Sequence, residues 1–333
     1  MRHTISRRRA ILTGLAASFS AAMLPTAGFA QTASPQAGWP TRPVRLIVPY
    51  AAGGSTDVVA RPWAEKLTQA FGQSFVIDNR GGASGSIGAE AAARATPDGY
   101  TFLLTPNSAL SIVPQLRKVG YDVKKDFTPV ARVGDLVGGF VVRADLGINT
   151  LAELVAYAKK NPGKLAYGGG GLGTTTQMRI ETLKIRAGID ILYVPYRGNG
   201  EAMTDLLGGQ IQLMNEIITF PHVKAGTLKL LAMSHTSRHP EFPDVPTLTE
   251  AGFPDADVPL WFGLHAPAGT ARDIITRLNA KIVEIARTEE MIKRMREISV
   301  VVPTQTPEEM VLFLEADFVA NGKVIREANI KME

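Results

Sequence analysis

Cysteine is absent from all 333 residues of the chain. This absence excludes disulfides, thiolate metal sites, cysteine nucleophiles and a lipid anchor attached through cysteine. The five histidines do not form an HExxH metal motif, and no GxSxG nucleophile elbow occurs. The sequence therefore predicts no metal, no cofactor and no catalytic residues. It favours a protein that binds a ligand without changing it, rather than an enzyme.

Excess charge of either sign is also lacking once the N-terminus is set aside. The chain has 36 Lys and Arg residues and 31 Asp and Glu residues, but four of the arginines and none of the acids lie in residues 1–30. The remainder has 32 basic and 31 acidic residues, a net charge of +1. It contains no basic stripe and no Lys/Arg-rich amphipathic helix, so neither nucleic acid nor a membrane surface is expected as a partner.

The apolar run at residues 10–24 is too short, and too often interrupted by Ser and Thr, to span a membrane. It follows a basic start and precedes Gly-Phe-Ala at residues 28–30, which is typical of an export signal cleaved near Ala30. The stretch SRRRAIL at residues 6–12 fits a twin-arginine signal as well as a general secretory signal with three arginines. We expect a periplasmic protein that is not inserted in the membrane.

Beyond residue 38, apolar runs of strand length alternate with helical periodicity. The runs VRLIVPY at residues 44–50 and YTFLLTP at residues 100–106 are almost continuously apolar, which is typical of strands covered on both faces. TLAELVAYAKK begins with Thr150 as an N-cap and has Glu153 three residues later, the pattern of a helix start. The alternation predicts an α/β fold in which mostly parallel sheets are flanked by helices.

Two segments are interpreted as connections between domains. FTPVARVGDLVGGFVVR at residues 127–143 is longer than a typical strand and is expected to run from one domain into another. VPLWFGLHAP at residues 258–267 is expected to return to the first domain. The predicted organisation is a first domain of residues 39–139 and 256–333, a second domain of residues 140–255, and two crossover strands at the hinge.

The loop YAAGGSTD at residues 50–57 lies between a predicted strand and a predicted helix. Its two glycines are adjacent, which matches neither a P-loop nor a dinucleotide fingerprint. The unpaired N–H groups at the start of the following helix favour an anion, and the Ser and Thr hydroxyls add donors. Asp57 is interpreted as an acid of the first helical turn. Taken alone, the loop is more readily explained as an ordinary tight turn.

A second loop, YGGGGLGTTTQM at residues 167–178, has five glycines within residues 167–173 and also precedes a helix. Both loops follow strand C-terminal ends, where open α/β sheets bind ligands. Facing each other across a cleft, they would hold a small molecule with an acidic group. RGGASGSIG at residues 80–88 is a further candidate wall, with Gly-rich packing as the alternative.

Single side chains around these loops are further candidates. Arg179 and Arg197 could pair with a carboxylate, because a guanidinium binds it bidentately. Tyr50, Tyr196 and Trp261 could line an apolar wall, although each is more often a core residue. The predicted ligand-binding residues are Tyr50, Ala51, Gly53, Gly54, Ser55, Thr56, Asp57, Ser84, Asn107, Gly169, Gly170, Gly171, Thr174, Thr175, Thr176, Gln177, Arg197, Asn215 and Glu216.

Several segments resemble the Bug-type receptors of tripartite tricarboxylate transporters. They include RPVRLIVPYAAGGSTDVVAR, LAYGGGGLGTTTQM, PDGYT and the later VPYRGNGEAMTDLLGGQ, and the resemblance extends from residue 39 to about residue 330. It implies a periplasmic solute-binding protein of the type II periplasmic-binding-protein fold, in which two domains close like a clamshell. In that family, the loops matching residues 50–57 and 168–177 hold a carboxylate, partly through ordered water.

The resemblance also implies partners. A small carboxylate is the expected ligand, and the membrane components of a tripartite tricarboxylate transporter are the expected recipients. A monomer is expected for a receptor that docks on a permease. Two alternatives remain at this stage: an exported sensor that presents its bound form to a signalling partner, and an exported enzyme acting on small carboxylic acids, for which no base and nucleophile pair is found.

The sequence departs from the family pattern at two places. Gln177 stands where the family usually has His, so a contact that could be protonated is lost. Asn215 and Glu216 stand where an apolar or aromatic residue followed by Asp is common. These changes predict a ligand that forms more hydrogen bonds, or one with less ring surface.

Overall fold

Two β-sheets organise the chain in a computed structural model that describes residues 38–331. The predicted export signal at residues 1–30 lies outside the described residues. The strands are β1 (Val44–Val48), β2 (Phe75–Asn79), β3 (Thr101–Pro106), β4 (Phe127–Leu136), β5 (Gly138–Arg143), β6 (Ala166–Gly169), β7 (Leu192–Pro195), β8 (Leu213–Met214), β9 (Leu228–Ser234), β10 (Trp261–Pro267) and β11 (Val300–Val301).

Helices connect most of the strands, and four of those in residues 38–331 begin after a threonine whose side chain caps the first turn. The helices are α1 (Ser55–Phe71), α2 (Ser86–Ala93), α3 (Val113–Leu116), α4 (Leu151–Lys160), α5 (Thr175–Ala187), α6 (Asn199–Gly208), α7 (Phe220–Lys224), α8 (Arg272–Ala286), α9 (Glu289–Glu297) and α10 (Pro307–Glu327). Thr150 caps α4 as predicted, since its side chain accepts a hydrogen bond from the Glu153 N–H. None of the helices in residues 38–331 has the length and apolarity to cross a bilayer.

Two predictions from local sequence were wrong, namely that Pro62 distorts the first turn of the helix after residues 50–57 and that NSALS at residues 107–111 is a loop. Helix α1 continues through Pro62, which lies well inside it rather than distorting its first turn, and Pro62 is buried. The stretch after β3, expected to be a loop, forms a π-helical turn over Ser108–Ile112, which leads directly into α3. The small residues of that stretch are fully packed in the protein interior, and burial of their backbone groups requires the internal hydrogen bonds that a helical turn supplies.

Both sheets combine parallel and antiparallel strands. The first sheet has the order β11-β4-β10-β3-β1-β2, and the second has the order β7-β6-β8-β5-β9. Strands β1, β2 and β3 are parallel, as are β6, β7 and β8, whereas β10 and β5 run antiparallel to their neighbours. The α/β class is confirmed. The sheets are more mixed than expected because β5 and β10 enter their sheets directly from the other sheet, without a helical crossover to turn the chain round.

The chain passes between the sheets twice. Only Val137 separates β4 of the first sheet from β5 of the second, so residues 127–143 do run from one sheet into the other. The return leads through residues 257–260 into β10. Strands β5 to β9 therefore form the second sheet between the two connections. The domain boundaries at residues 139/140 and 255/256 stay predictions.

Helices cover both faces of the first sheet. Leu46, Ile47 and Val48 of β1 are all fully buried, as expected for a strand of continuous apolar residues. Leu46 belongs to a cluster with Trp63 of α1, and Ile47 belongs to a separate cluster with Ala89 of α2. Because both faces are occupied, the strand ends are the part of the sheet left to carry loops and a binding site.

Gly88 fixes the distance between α2 and the first glycine-rich loop. A Cβ at this position would lie 2.7 Å from Pro49 Cα and 2.8 Å from the carbonyl oxygen of Arg80. Both atoms belong to the backbone and cannot rotate away. We expect Gly88→Ala to lower the free energy of unfolding by about 1–3 kcal/mol, the usual cost of overpacking a core. Urea denaturation measures the change.

Gly208 provides the matched control for this prediction. It also lies in a helix, α6, but a Cβ there would meet no atom within 4 Å. Alanine at this position should be neutral or slightly stabilising, because glycine is the poorer helix former by about 1 kcal/mol. Equal losses of stability in Gly88→Ala and Gly208→Ala would show that the contact with Pro49 does not matter.

Candidate functional site

A cavity of about 90 Å³ lies between loops at the strand ends of the two sheets. Eleven of the predicted binding residues line it: Tyr50, Ala51, Gly54, Ser55, Thr56, Gly170, Thr174, Thr175, Thr176, Arg197 and Glu216. The other eight lie outside the lining: Gly53, Asp57, Ser84, Asn107, Gly169, Gly171, Gln177 and Asn215. The cavity thus joins the two loops that the sequence singled out, and the remaining residues occupy the layer around it.

In the first loop, Gly53 and Asp57 hold the backbone in place. Gly53 has φ of +80°, a left-handed conformation that suits glycine, and its N–H donates to Asp57 Oδ2 at 2.9 Å. Arg61 Nε donates to the same oxygen at 2.8 Å, and Asn79 Nδ2 donates to Asp57 Oδ1. Burial alone would raise the pKa of Asp57, but these hydrogen bonds outweigh it and the pKa is lowered. Asp57 is therefore an ionised brace of the loop.

The loop around residues 80–88 supports Tyr50. The Tyr50 hydroxyl donates to the Ser84 carbonyl oxygen at 2.9 Å and lies 2.7 Å from Ser108 Oγ. Burial raises the pKa of Tyr50 to about 12, so the hydroxyl stays neutral. Ser84 Oγ in turn donates to the Leu172 carbonyl oxygen at 2.6 Å, in the second glycine-rich loop. Ser84 thus joins the two loops instead of facing the cavity.

The second loop is held by its own threonine and glutamine. Thr174 Oγ1 caps α5 by accepting from the Gln177 N–H, and Gln177 Oε1 accepts from the Gly173 N–H at 2.7 Å. This reciprocal arrangement resembles a capping box and buries the Gln177 side chain. The carbonyl oxygen of Gly171 accepts from Thr174 Oγ1 and from the Tyr193 hydroxyl. Gln177 is therefore occupied in shaping the loop.

Direct hydrogen bonds link the first sheet's loops to those of the second. Thr175 Oγ1 donates to Asn107 Oδ1 at 2.5 Å, and Ser55 Oγ donates to Glu216 Oε2 at 3.2 Å. With the bond from Ser84, they bring the loops into contact around the cavity. Pockets for drug-sized ligands typically measure about 300–1,000 Å³, so this closed arrangement suits a ligand of few heavy atoms.

Glu216 is the acidic side chain of the cavity, and Arg197 is the basic one. The Glu216 carboxylate is 3% exposed and also accepts from Thr176 Oγ1 at 2.6 Å. Burial raises the pKa of Glu216, although the hydrogen bonds from Thr176 and Ser55 and the charge of Arg179 partly oppose this. The Arg197 guanidinium is exposed and has no hydrogen-bond or ion-pair partner among residues 38–331.

Arg179 is not available to a ligand, although the sequence suggested it as a carboxylate partner. It is 1% exposed, and Nε, Nη1 and Nη2 donate to the Val258 carbonyl oxygen, Asn215 Oδ1 and the Ser234 carbonyl oxygen at 2.7, 3.1 and 3.2 Å. Burial lowers the pKa of Arg179. Asn215 donates in turn to Ser234 Oγ, so its side chain faces Arg179. Arg179 and Asn215 thus tie α5 to β9 and to the return connection.

The sequence reasoning missed some cavity residues: Pro106, Ser108, Gly198, Asn199, Leu260 and Phe262. Asn199 begins α6 after β7, so the rule that placed the other loops could have found it. Leu260 and Phe262 line the cavity, whereas Trp261 packs on Phe313 with ring centroids 5.6 Å apart. Alternation along the strand places Trp261 on the opposite face. The Tyr196 hydroxyl donates a hydrogen bond to Asp205 Oδ2, and Tyr196 does not line the cavity.

The arrangement provides hydrogen-bond donors from both sides. Helices α1 and α5 begin at the cavity, so their first N–H groups lie at its wall, whereas the hydroxyl hydrogens of Ser55 and Thr175 are already directed at Glu216 and Asn107. In the part of the chain that the structure describes, no group of three or more His, Asp or Glu side chains is placed to hold a metal ion. These features suit capture of a small anion with at least one further polar group.

Known proteins similar to this chain are solute-binding receptors. The family model described as tripartite tricarboxylate transporter family receptor (TctC) matches residues 59–330. Protein BugT of Bordetella pertussis (strain Tohama I) is 35% identical over 317 residues, 93% of this chain and 96% of that protein.

Solved structures also resemble the protein. Rpa4515 of R. palustris, solved with adipate, has a TM-score of 0.84 and 36% identity, with 88% of this chain and 99% of that chain covered. MatC (Rpa3494) of Rhodopseudomonas palustris, solved with bound malate, has a TM-score of 0.79 and 29% identity, with 86% and 100% covered. The family resemblance and the fold class predicted from the sequence are both confirmed. The chain belongs to the TctC family of tripartite tricarboxylate transporter receptors, which includes the Bug periplasmic solute-binding proteins.

Proposed function

We propose that the protein captures a small carboxylate between its two glycine-rich loops and delivers it to a tripartite tricarboxylate-type membrane transporter. The observation that carries this proposal is the cavity at which α1 and α5 both begin. The two helix N-termini favour a negative ligand from both sides. Relatives solved with adipate and with malate support a carboxylate ligand.

Capture requires that the two sheets separate and approach again. The hydrogen bonds of Ser84, Ser55 and Thr175 across the cavity exist only when the loops are close. A ligand that touches both loops adds its contacts to the closed state alone, so binding shifts the population towards closure. The closed form is then the one presented to the transporter.

Ligand-dependent thermal unfolding tests the proposal. The purified protein is first unfolded and refolded to remove any carried-over ligand, and is then heated with mono-, di- and tricarboxylates, amino acids and aromatic acids. A ligand specific to the folded state, present at 100 times its Kd, should add about 2.7 kcal/mol to the free energy of unfolding. We expect a shift of several degrees with one class of acid and no turnover of that acid. Shifts produced only by neutral sugars or amines would contradict the proposal.

Export and delivery are tested in cells. N-terminal sequencing of the protein from the periplasmic fraction should show cleavage near residue 30, as the basic and apolar start of the chain suggests. Deletion of the gene should abolish uptake of the radiolabelled ligand, and deletion of the transporter's membrane components should have the same effect. Uptake that persists without those components would assign the receptor to another partner.

A further inference from the structure

Glu216 places a carboxylate in the wall of a cavity that is otherwise built to attract anions. Its side chain is almost fully buried and receives hydrogen bonds from Thr176 and Ser55, and the Asn199 amide lies close enough to add a third. No cation within residues 38–331 forms an ion pair with it. Arg179, whose charge acts on Glu216, directs its three donors at Val258, Asn215 and Ser234. Lone-pair positions of Glu216 therefore remain for a group inside the cavity.

Asn199 adds a second acceptor to the same wall. Its Oδ1 atom is buried and has no hydrogen-bond partner in the described part of the chain. The Asn199 side chain also lies within reach of the Glu216 carboxylate and lines the same cavity. A buried acceptor without a donor is unfavourable, so a bound molecule that donates a hydrogen bond would complete this pair of residues.

Glu216 discriminates among acids as a hydrogen-bond acceptor. A ligand bound by one carboxylate at the helix N-termini must turn its next group towards Glu216. A second carboxylate there has no hydrogen to donate to Glu216, whereas an ammonium or hydroxyl group would donate a hydrogen bond to it. An ammonium group would also neutralise the carboxylate, which no protein cation contacts directly.

We propose that Glu216, together with Asn199, selects small carboxylates that carry an ammonium or hydroxyl donor beside the carboxylate over unsubstituted acids of the same length. This inference rests on the proposed function and names the ligand class of the same site. Glu216 acts here as a specificity-determining residue that touches the ligand. Arg197, the other charged side chain of the cavity, remains available for a distal acidic group.

An isosteric series tests the selection without any mutation. Succinate, malate and aspartate share four carbons and two carboxylates and differ only by hydrogen, hydroxyl or ammonium at one carbon. Glutarate, 2-hydroxyglutarate and glutamate repeat the comparison with five carbons. Calorimetric titration of the refolded protein at neutral pH should give at least about tenfold tighter binding of the substituted acids, the effect of one hydrogen bond to a charged group.

Glu216→Gln tests whether this residue causes the preference. Glutamine keeps the shape of the side chain and can still accept from Thr176, so the cavity should be retained. We expect the ammonium-bearing acid to lose about tenfold or more in affinity and the unsubstituted acid to gain. Glu181→Gln is the matched control, because Glu181 lies on the same helix as Thr176, contacts Tyr167 and Lys184, and does not line the cavity. The Glu181→Gln variant should prefer the substituted acids over the unsubstituted acid as strongly as the wild type does.

The outcomes separate the two proposals. Equal binding of all three acids in a series, or a wild-type preference retained in Glu216→Gln, overturns the role of Glu216 and leaves the receptor function intact. Absence of binding by every acid, in wild-type protein that has refolded, overturns the proposed function itself. If Glu216→Gln does not fold, the wild-type series can still overturn the proposal, since equal binding of the three acids contradicts any selection at this wall.

Discussion

Replacing Arg179 with methionine is expected to lower the free energy of unfolding by about 3–5 kcal/mol, because three buried acceptors lose their donor. The acceptors are the carbonyl oxygens of Val258 and Ser234 and the side-chain oxygen of Asn215. Methionine fills most of the volume but donates no hydrogen bond. Glu216 also loses the positive charge that opposes the rise of its pKa, so we expect ligand affinity to change as well.

Arg186 on the same helix provides the control for this experiment. Its ion pair with Glu327, 3.2 Å long, lies at the surface. Exposed pairs contribute about 0–1 kcal/mol, so Arg186→Met should change stability little. Urea denaturation of both variants gives the comparison. Similar stabilities of Arg179→Met and Arg186→Met would mean that the buried network around Arg179 is not a structural tie.

Acidification from pH 6.5 to pH 4 should remove about 3 kcal/mol of stability through His265 alone. The side chain is 1% exposed, and neither ring nitrogen has a hydrogen-bond partner among the described residues. Burial lowers the pKa of His265 from 6.5 to about 4. Between these pH values the unfolded chain binds a proton at His265 that the folded protein does not bind. The stability associated with the neutral side chain is therefore fully present above about pH 6.5 and is lost as the pH falls to about 4.

His265→Leu isolates this contribution. Leucine has no titratable group and leaves no unpaired nitrogen beside Trp261 and Phe127, which surround the ring. Buried acids act in the opposite direction: burial raises the pKa of Asp135 to about 6, so its contribution grows as the pH falls. Urea denaturation from pH 7.5 to pH 4 measures the free energy of unfolding of both proteins. Because the variant keeps the buried acids and lacks only the histidine, the wild type should lose stability relative to the variant on acidification. Parallel pH profiles would contradict the assignment.

The sequence predicted the elements and loops that follow from local patterns. Continuous apolar runs identified β1 and β3, and Thr150 identified the start of α4. The position of the site followed from the rule that ligands bind at strand ends in α/β sheets. QIQLMNE at residues 210–216 predicts a strand of seven residues, but β8 comprises only Leu213 and Met214, because the chain leaves the sheet after Met214.

The roles of individual polar residues were harder to predict. Asp57, Gln177 and Asn215 belong to the right loops, but their hydrogen bonds go to Gly53, Gly173 and Arg179. A polar side chain can support a loop or face its ligand. Which of the two it does depends on partners that are distant in sequence, or on the exact backbone conformation of the loop itself. Neither is visible in composition or spacing. Asn199 begins a helix after a strand, so the strand-end rule could have found it, but that rule does not tell whether its side chain reaches the cavity.

The two connections between the sheets also determine how the protein should respond to mechanical force. The described chain begins beside β1 and ends after β11, both in the first sheet, and the strands of the second sheet form one continuous insertion. Tension applied to the two chain ends therefore acts first on the six-stranded sheet, and it reaches the five-stranded sheet along the backbone only through Val137 and residues 257–260. A pulling experiment should record two ruptures in that order, with the inserted sheet extending only after the outer one has given way.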